Sequence, residues 1–265
     1  MVWRVNGQVV LITGATDGLG RALARAADAA GATVLVHGRS EERIADTLGE
    51  LSDRARSYRA DLASLAEVKR LADEVLAAEP RLDVLVNNAG IGSNVPGGER
   101  RQESPDGHEL RFTVNYLSGY ALTRRLLDLL RRSAPSRIVN VSSAGQMAID
   151  FDDVMLEHGY SGVRAYCQSK LAQILFTFDV AEELAGSGVA ATCLHPSTYM
   201  PTKIVASPIS SVADGVEASM RLMTAPAEEI DGRYFNVLRE ARADPQAYDA
   251  DARRRLRELS DQLTA

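Results

Sequence analysis

Short apolar runs alternate along the chain with longer stretches in which apolar side chains return every three or four positions. Val9-Val10-Leu11-Ile12, Thr33 to His37, Val84-Leu85-Val86, Ile138 to Val141 and Val189 to Leu194 are runs short enough for strands. The first is uninterrupted by polar residues, as a parallel strand buried on both faces requires. Leu19, Leu23 and Ala26-Ala27 open a helical period, and Leu171, Ile174, Leu175 and Phe178 carry another. The alternation predicts an α/β fold. No Pro/Ser-rich linker, compositional break or repeat divides residues 1–265, so a single domain is expected.

The first strand runs directly into Thr13-Gly14-Ala15-Thr16-Asp17-Gly18-Leu19-Gly20, where the helical period begins. Strand, glycine-rich loop and helix follow in the order that aims backbone N–H groups and a helix dipole at a phosphate. The spacing is Gly-x-x-x-Gly-x-Gly rather than the common GxGxxG fingerprint.

A second cluster is Tyr166-Cys167-Gln168-Ser169-Lys170. On a helix, residues four apart share a face, so the phenol and the ammonium can converge. Bringing a phenol from a pKa of about 10 to 7 needs roughly 4 kcal/mol in favour of the phenolate. A cation about 4 Å away at an effective dielectric of 20 supplies an energy of about that size. Lys69, Lys170 and Lys203 are the only lysines among 30 basic residues, which suggests that a compact charge is wanted at 170. An exposed i,i+4 polar pair is the plainer alternative.

Together these motifs resemble the short-chain dehydrogenase/reductase family, and the resemblance extends along nearly the whole chain. It implies a single doubly wound parallel sheet, the Rossmann fold, flanked by helices on both faces. Asn87-Asn88-Ala89-Gly90 resembles the family element that steadies the sheet and lines the cofactor site. By the same resemblance Asn115 holds a water on a proton-relay path, Ser143 bonds the substrate carbonyl, Tyr166 exchanges the proton, and Lys170 lowers the Tyr166 pKa and anchors the ribose. Ser142 is the alternative to Ser143, since successive strand residues face opposite ways. The 23-residue interval from Ser143 to Tyr166 suggests an inserted segment, Gln146 to Val163, as in the retinol dehydrogenase-like and WW-domain oxidoreductase-like branch.

The second strand ends His37-Gly38-Arg39-Ser40, with no carboxylate before Glu41. An acidic side chain there suits a ribose diol, whereas Arg39 suits a 2′-phosphate, so NADP(H) is expected in preference to NAD(H). A solvated Arg39 beside the next helix is the alternative. The resemblance assigns cofactor contacts to Gly14, Thr16, Asp17, Gly18, Leu19, Gly20, Arg39, Asp61, Leu62, Asn88, Ala89, Gly90, Tyr166, Lys170, Pro196, Ser197 and Thr198. Asp61 reads equally as the N-cap of a helix starting near Leu62. Ser197 replaces a glycine usual in the family, and His195 before it fits a structural role better than catalysis. A substrate-covering segment is expected at about 197–213, with Tyr199, Met200 and Pro201 giving an apolar wall and Thr202 near the cofactor.

Thirty-six acidic against 30 basic residues leave a net charge of −6, which argues against a nucleic-acid surface. Arg253-Arg254-Arg255 reads as a solvated helical face. No run approaches 18 apolar residues and Met1-Val2-Trp3-Arg4 does not open a signal peptide, so a soluble cytoplasmic protein without a membrane partner is expected. Cys167 and Cys193 fit reduced cysteines, and no metal site is expected. The resemblance implies pairing into a homodimer or homotetramer through the helices carrying Asn115 and Tyr166.

The activity implied is hydride transfer between NADP(H) and a carbonyl/alcohol pair, the substrate being a small and hydrophobic molecule. One rival is a nucleotide-sugar epimerase or dehydratase, which calls for Gly-x-x-Gly-x-x-Gly and a larger C-terminal region. Another is a nonenzymatic NAD(P)-binding sensor or interaction protein, against which the Asn115, Ser143, Tyr166, Lys170 set counts.

Overall fold

The computed structural model describes residues 5–93, 98–198 and 210–265. Tyr199, Met200, Pro201 and Thr202, and most of the expected covering segment, lie outside the described residues. The first half alternates strictly: β1 (Val9–Ile12), α1 (Gly18–Ala29), β2 (Thr33–Gly38), α2 (Glu41–Leu48), β3 (Arg56–Arg59), α3 (Leu65–Ala78) and β4 (Val84–Asn87). A short α4 (Leu110–Phe112) runs through one π turn, Thr113–Leu117, into α5 (Ser118–Arg132). After β5 (Ser136–Val141) come α6 (Gly162–Glu183), β6 (Val189–His195), α7 (Val212–Thr224), α8 (Ala227–Ile230), β7 (Tyr234–Asn236), β8 (Arg239–Glu240) and α9 (Ala250–Thr264).

The strands form one sheet in the order β3-β2-β1-β4-β5-β6-β7-β8, parallel except for the β7/β8 pair. β1 pairs with β2 on one side and β4 on the other, so the winding reverses between β1 and β4. That reversal opens a crevice beyond the C-terminal ends of the two strands, where ligands of such sheets bind. The continuous apolar run of β1 is explained by burial on both faces. Val10 and Ile12 pack with Leu19, Leu23 and Leu222, while Val9 and Leu11 pack with Leu71, Leu126 and Leu175. Helices α1 and α7 thus cover one face, and α3, α5 and α6 the other.

Three expectations are corrected. Asp61 is not a helix N-cap: α3 starts at Leu65 and is capped by Ser64, whose hydroxyl accepts the Glu67 N–H. The Asp61 carboxylate instead accepts the Ala63 N–H at 3.0 Å. The basic run in α9 is not simply solvated. Arg253 reaches Glu182 on α6 at 2.7 Å, and its neighbour on the same face, Arg257, reaches Asp179 at 2.7 Å. Tyr116 and Tyr120 complete this dock, bonding Ser260 and Asp261 at 2.6 Å each. Helix α9 therefore covers the Tyr116, Tyr120 and Phe176 face of α5 and α6. Finally, the inserted segment ends at Ser161, because Gly162 and Val163 already belong to α6. Among the described residues no helix is long and apolar enough to cross a membrane.

Candidate active site

The glycine-rich loop closes over the end of β1 and is braced from three sides. Gly14 has φ of 66°, a left-handed conformation, and a Cβ there would meet the Ala89 backbone at 3.0 Å. A Cβ on Gly20 would lie 2.2 Å from the Gly14 carbonyl oxygen, so α1 enters the loop at a distance only glycine permits. Thr16 packs on Gly38 at the end of β2, and the Ala15 N–H donates to the His37 carbonyl at 2.9 Å. Asp17 caps α1 by accepting the Gly18 N–H at 2.9 Å and lies 3.5 Å from Arg43. Leu19 is buried in the core behind the loop.

Sequence reasoning missed the ring that supports this loop. His37 Nδ1 accepts the Gly14 N–H at 3.1 Å, and Nε2 lies 3.1 Å from the Ala60 carbonyl oxygen. The first bond requires a bare Nδ1, so the proton is on Nε2 and the imidazole is neutral. Burial pushes its pKa down to about 4. Thr13 was missed as well; its hydroxyl accepts the N–H groups of Asn88 at 2.9 Å and Ala89 at 3.1 Å. Asn88 returns a bond to the Thr13 carbonyl at 2.9 Å, tying the loops after β1 and β4 together.

Behind them, Asn87 donates to Thr123 on α5 and Asn140 on β5, and Asn140 donates to Thr177 on α6. Four elements are bolted by amides and hydroxyls whose burial makes an unpaired group expensive. Gly90 continues toward the site, where a Cβ would stand 3.3 Å from Asn115 Oδ1 and 3.5 Å from Lys170 Nζ.

Asn115 lies on the π turn, an irregularity that re-aims a side chain without ending the helix. Its Oδ1 accepts the Ile91 N–H at 2.7 Å, while Nδ2 donates to the Ile91 carbonyl at 3.1 Å and to Ser169 Oγ at 2.9 Å. The amide thus ties the loop after β4 to α6.

The two serines after β5 separate as the strand alternation requires. Ser142 Oγ donates inward to the Lys170 carbonyl at 2.7 Å. Ser143 Oγ accepts the Gly145 N–H at 3.0 Å and hydrogen-bonds the Tyr166 phenol. Tyr234 donates to the Ser143 carbonyl at 3.1 Å, a contact from β7 that no local pattern along the chain announces.

Tyr166 and Lys170 are on one face of α6, with the ammonium 5.9 Å from the ring centroid. Lys170 is buried and donates to the Val141 carbonyl at 2.8 Å and Gln173 Oε1 at 2.9 Å. Burial pushes its pKa down to about 7. Burial also pushes the Tyr166 phenol above its ordinary value, with the Ser143 bond pulling the other way. The expectation that Lys170 lowers the phenol's pKa toward neutrality is therefore not met in this structure: desolvation outweighs an ammonium turned toward two carbonyl acceptors.

The remaining sequence candidates are more peripheral. Arg39 is exposed at the end of β2, and among the described residues its guanidinium makes no ion pair. Arg59 approaches it, donating to the Arg39 carbonyl at 3.3 Å and pairing with Glu41 at 3.1 Å. Leu62 is buried in the core. Pro196, Ser197 and Thr198 follow β6, and Ser197 Oγ donates to Ser210 at 2.7 Å. His195 is buried and lies 2.9 Å from Thr198 Oγ1, which supports the backbone at this strand end. Cys167 and Cys193 are both free thiols, raised in pKa by burial.

A doubly wound sheet with a glycine-built crevice at its switch point, and a Ser, Tyr, Lys cluster beyond the neighbouring strand β5, is the arrangement of a nucleotide-binding oxidoreductase. A family model described as short chain dehydrogenase matches residues 8–210, and the chain belongs to the short-chain dehydrogenase/reductase family, in its retinol dehydrogenase-like branch. Retinol dehydrogenase 13 of Mus musculus is 37% identical over 279 residues, covering 95% of this chain and 82% of the relative. A solved structure from Mycobacterium paratuberculosis superposes with a TM-score of 0.83 at 29% identity, covering 99% of this chain and 95% of that one. A short chain dehydrogenase of Shigella flexneri complexed with NADP gives a TM-score of 0.71 at 25% identity, covering 89% and 98% respectively.

Proposed function

We propose that this protein is a soluble, cytoplasmic NADP(H)-dependent reductase of hydrophobic aldehydes or ketones. The observation that carries the reading is the meeting of Ser143, Tyr166 and Lys170 beside a loop that only glycine can build at positions 14 and 20. The cradle fits a dinucleotide: Gly14, Thr16, Asp17, Gly18, Leu19 and Gly20 would hold the pyrophosphate, Asp61 and Leu62 the adenine, and Asn88, Ala89, Gly90, Lys170, Pro196, Ser197 and Thr198 the nicotinamide half. When bound, the cofactor supplies the hydride.

The chain's own residues supply polarity and the proton. Ser143 orients the carbonyl through its hydroxyl, and its bond to Tyr166 keeps the phenol aimed at the same point. A phenol held above its usual pKa is fully protonated at neutral pH, which suits the role of general acid to a developing alkoxide. The buried Lys170 ammonium stabilises the phenolate left behind. Asn115 holds the Ile91 backbone and Ser169 in register, and with a bound water it would connect the site to bulk solvent.

NADP preference is supported by an Arg39 guanidinium that makes no ion pair among the described residues, by the adjoining Arg43 and Arg59, and by the lack of a carboxylate on β2. Similarity to mouse retinol dehydrogenase 13 and two exposed apolar side chains, Met147 four positions after Ser143 and Val163 three before Tyr166, support a hydrophobic substrate. Two free cysteines support a reducing compartment. A homodimer or homotetramer built through α5 and α6 would have to use surfaces that α9 leaves uncovered.

Calorimetric titration with NADP and NAD, for wild type and Arg39→Asp, tests the cofactor assignment. Tight NADP binding that is lost in the variant is expected. Turnover of retinal with NADPH, abolished in Tyr166→Phe, is expected to accompany it. Nucleotide binding without turnover across a panel of apolar aldehydes and ketones would favour a sensor instead.

A further inference from the structure

Lys170 poses a physical problem that the Ser143, Tyr166, Lys170 set does not solve. Its ammonium is buried, and among the described residues no carboxylate pairs with it. A buried charge without an anion persists only where dipoles replace its hydration. Two acceptors do so: the Val141 carbonyl at the end of β5, and Oε1 of Gln173 at 2.9 Å. The first is backbone and is present whatever the sequence. The second depends on a single side chain, one helical turn beyond Lys170 on α6.

We propose that Gln173 positions the Lys170 ammonium and favours its charged form over the free amine, making it a positioning residue for proton transfer at Tyr166. This rests on the reductase reading for its consequence, though not for its geometry. Gln173 is itself buried, and it lines a small cavity with Asn87, Asn115 and Ser118, so its amide is confined between α6, the π turn and β4. Its backbone carbonyl accepts Thr177 Oγ1 at 2.7 Å, and Thr177 in turn accepts from Asn140. The turn of α6 that carries Gln173 is therefore tied to the same polar bolt that fixes β4 and β5.

Chemistry accounts for glutamine here. A neutral carbonyl oxygen stabilises an ammonium through its dipole without cancelling the positive field at Tyr166. A carboxylate at the same distance would raise the lysine's pKa and neutralise that field. A leucine would leave one acceptor for a buried charge and favour the free amine. The groups facing Lys170 from neighbouring elements are neutral: Tyr166 on its own helix with Cys167 beside it, Asn115 from the π turn, Gly90 after β4, Ser142 and Ser143 after β5, and Tyr234 of β7 behind Tyr166. Gln173 is thus the nearest lever on the charge of Lys170.

The chain has only Lys69, Lys170 and Lys203 as lysines, so carbon-13 labelling of lysine and NMR titration give few signals and two internal controls. Full-length wild type, Gln173→Glu and Gln173→Leu are titrated with no nucleotide added, and assignment comes from Lys170→Arg. The Lys170 midpoint is expected to rise by about one pH unit or more in Gln173→Glu and to fall by a similar amount in Gln173→Leu, with the other two lysines unmoved. Opposite shifts from one position are not produced by loosened packing. Should Gln173→Leu fail to fold, Gln173→Glu alone carries the test. A Lys170 midpoint within about 0.3 of wild type in the folded variants would overturn the proposal. Retinal reduction by NADPH is read separately, with kcat at pH 7 expected to drop roughly tenfold or more in each variant while NADP binding stays within about threefold. Wild type inactive with normal lysine shifts would reject the reductase reading and leave the Gln173–Lys170 coupling standing. Shifts absent with active wild type would do the reverse.

Discussion

His37 Nδ1 accepts the Gly14 N–H at 3.1 Å, so the turn that shapes the nucleotide cradle is held by an imidazole that must stay neutral. The folded pKa is about 4, below the ordinary 6.5, because burial penalises the charged ring. An unfolded chain binds a proton there below about 6.5, the folded one only below about 4. Stability from this residue is therefore complete above pH 6.5 and is lost as pH falls through that window, by at most about 3 kcal/mol. Urea denaturation at pH 7 and 4.5 is expected to show that loss in wild type. His37→Asn is expected to be weaker at pH 7 and to have a smaller difference between the two pH values.

A methyl group at Gly20 would fall 2.2 Å from the Gly14 carbonyl and 2.5 Å from Asn88 Nδ2. Backbone cannot yield there without moving the loop. Gly20→Ala is expected to keep a folded far-UV spectrum but to bind NADP roughly tenfold or more weakly, about 1.4 kcal/mol, by calorimetry. Unchanged affinity would mean that the loop does not carry the phosphates.

The inserted segment is held by a buried cation. Arg111 donates to Gly92 at 2.9 Å and to the Tyr160 hydroxyl at 2.6 Å, and Tyr160 donates to Glu109 at 3.2 Å. Tyr160→Phe leaves a buried guanidinium short of an acceptor, a loss of about 1–3 kcal/mol. Hydrogen exchange is expected to speed up across 150–161 and 91–93, with β1 to β3 unaffected. Uniform change across the sheet would argue that the contact is global rather than local.

Lys170 is charged below about pH 7 and neutral above it. Its support for a developing phenolate is present at low pH and fades as pH rises through 7. Retinal reduction, corrected for substrate and cofactor saturation, is expected to be flat below about pH 7 and to decline above it. Lys170→Met is expected to be slow throughout and to lack the decline. A wild-type profile flat to pH 9 would count against the charged form being required.

Much of the fold was legible because hydrophobic period survives without knowledge of neighbours. The β1 run, the glycine loop and the α1 pattern state their own local geometry, and the α6 period puts Tyr166 and Lys170 on one face. Asp61 misled as a helix cap because an acidic residue before an apolar helix has the same local signature as Ser64, three positions later. The α9 arginines misled because the sequence could not show Glu182 and Asp179 waiting on another helix.

Strand and helix order, the glycine positions that a close backbone approach demands, and the residue types able to move a proton are already set by the order of amino acids. Those follow from short-range sterics and periodicity. Packing settles which serine faces Tyr166, that His37 supports Gly14, that Gln173 takes up Lys170, and that burial raises the phenol and lowers the ammonium. Each of these depends on desolvation and on contacts between segments far apart in the chain or on side-chain direction, quantities that a linear pattern does not contain.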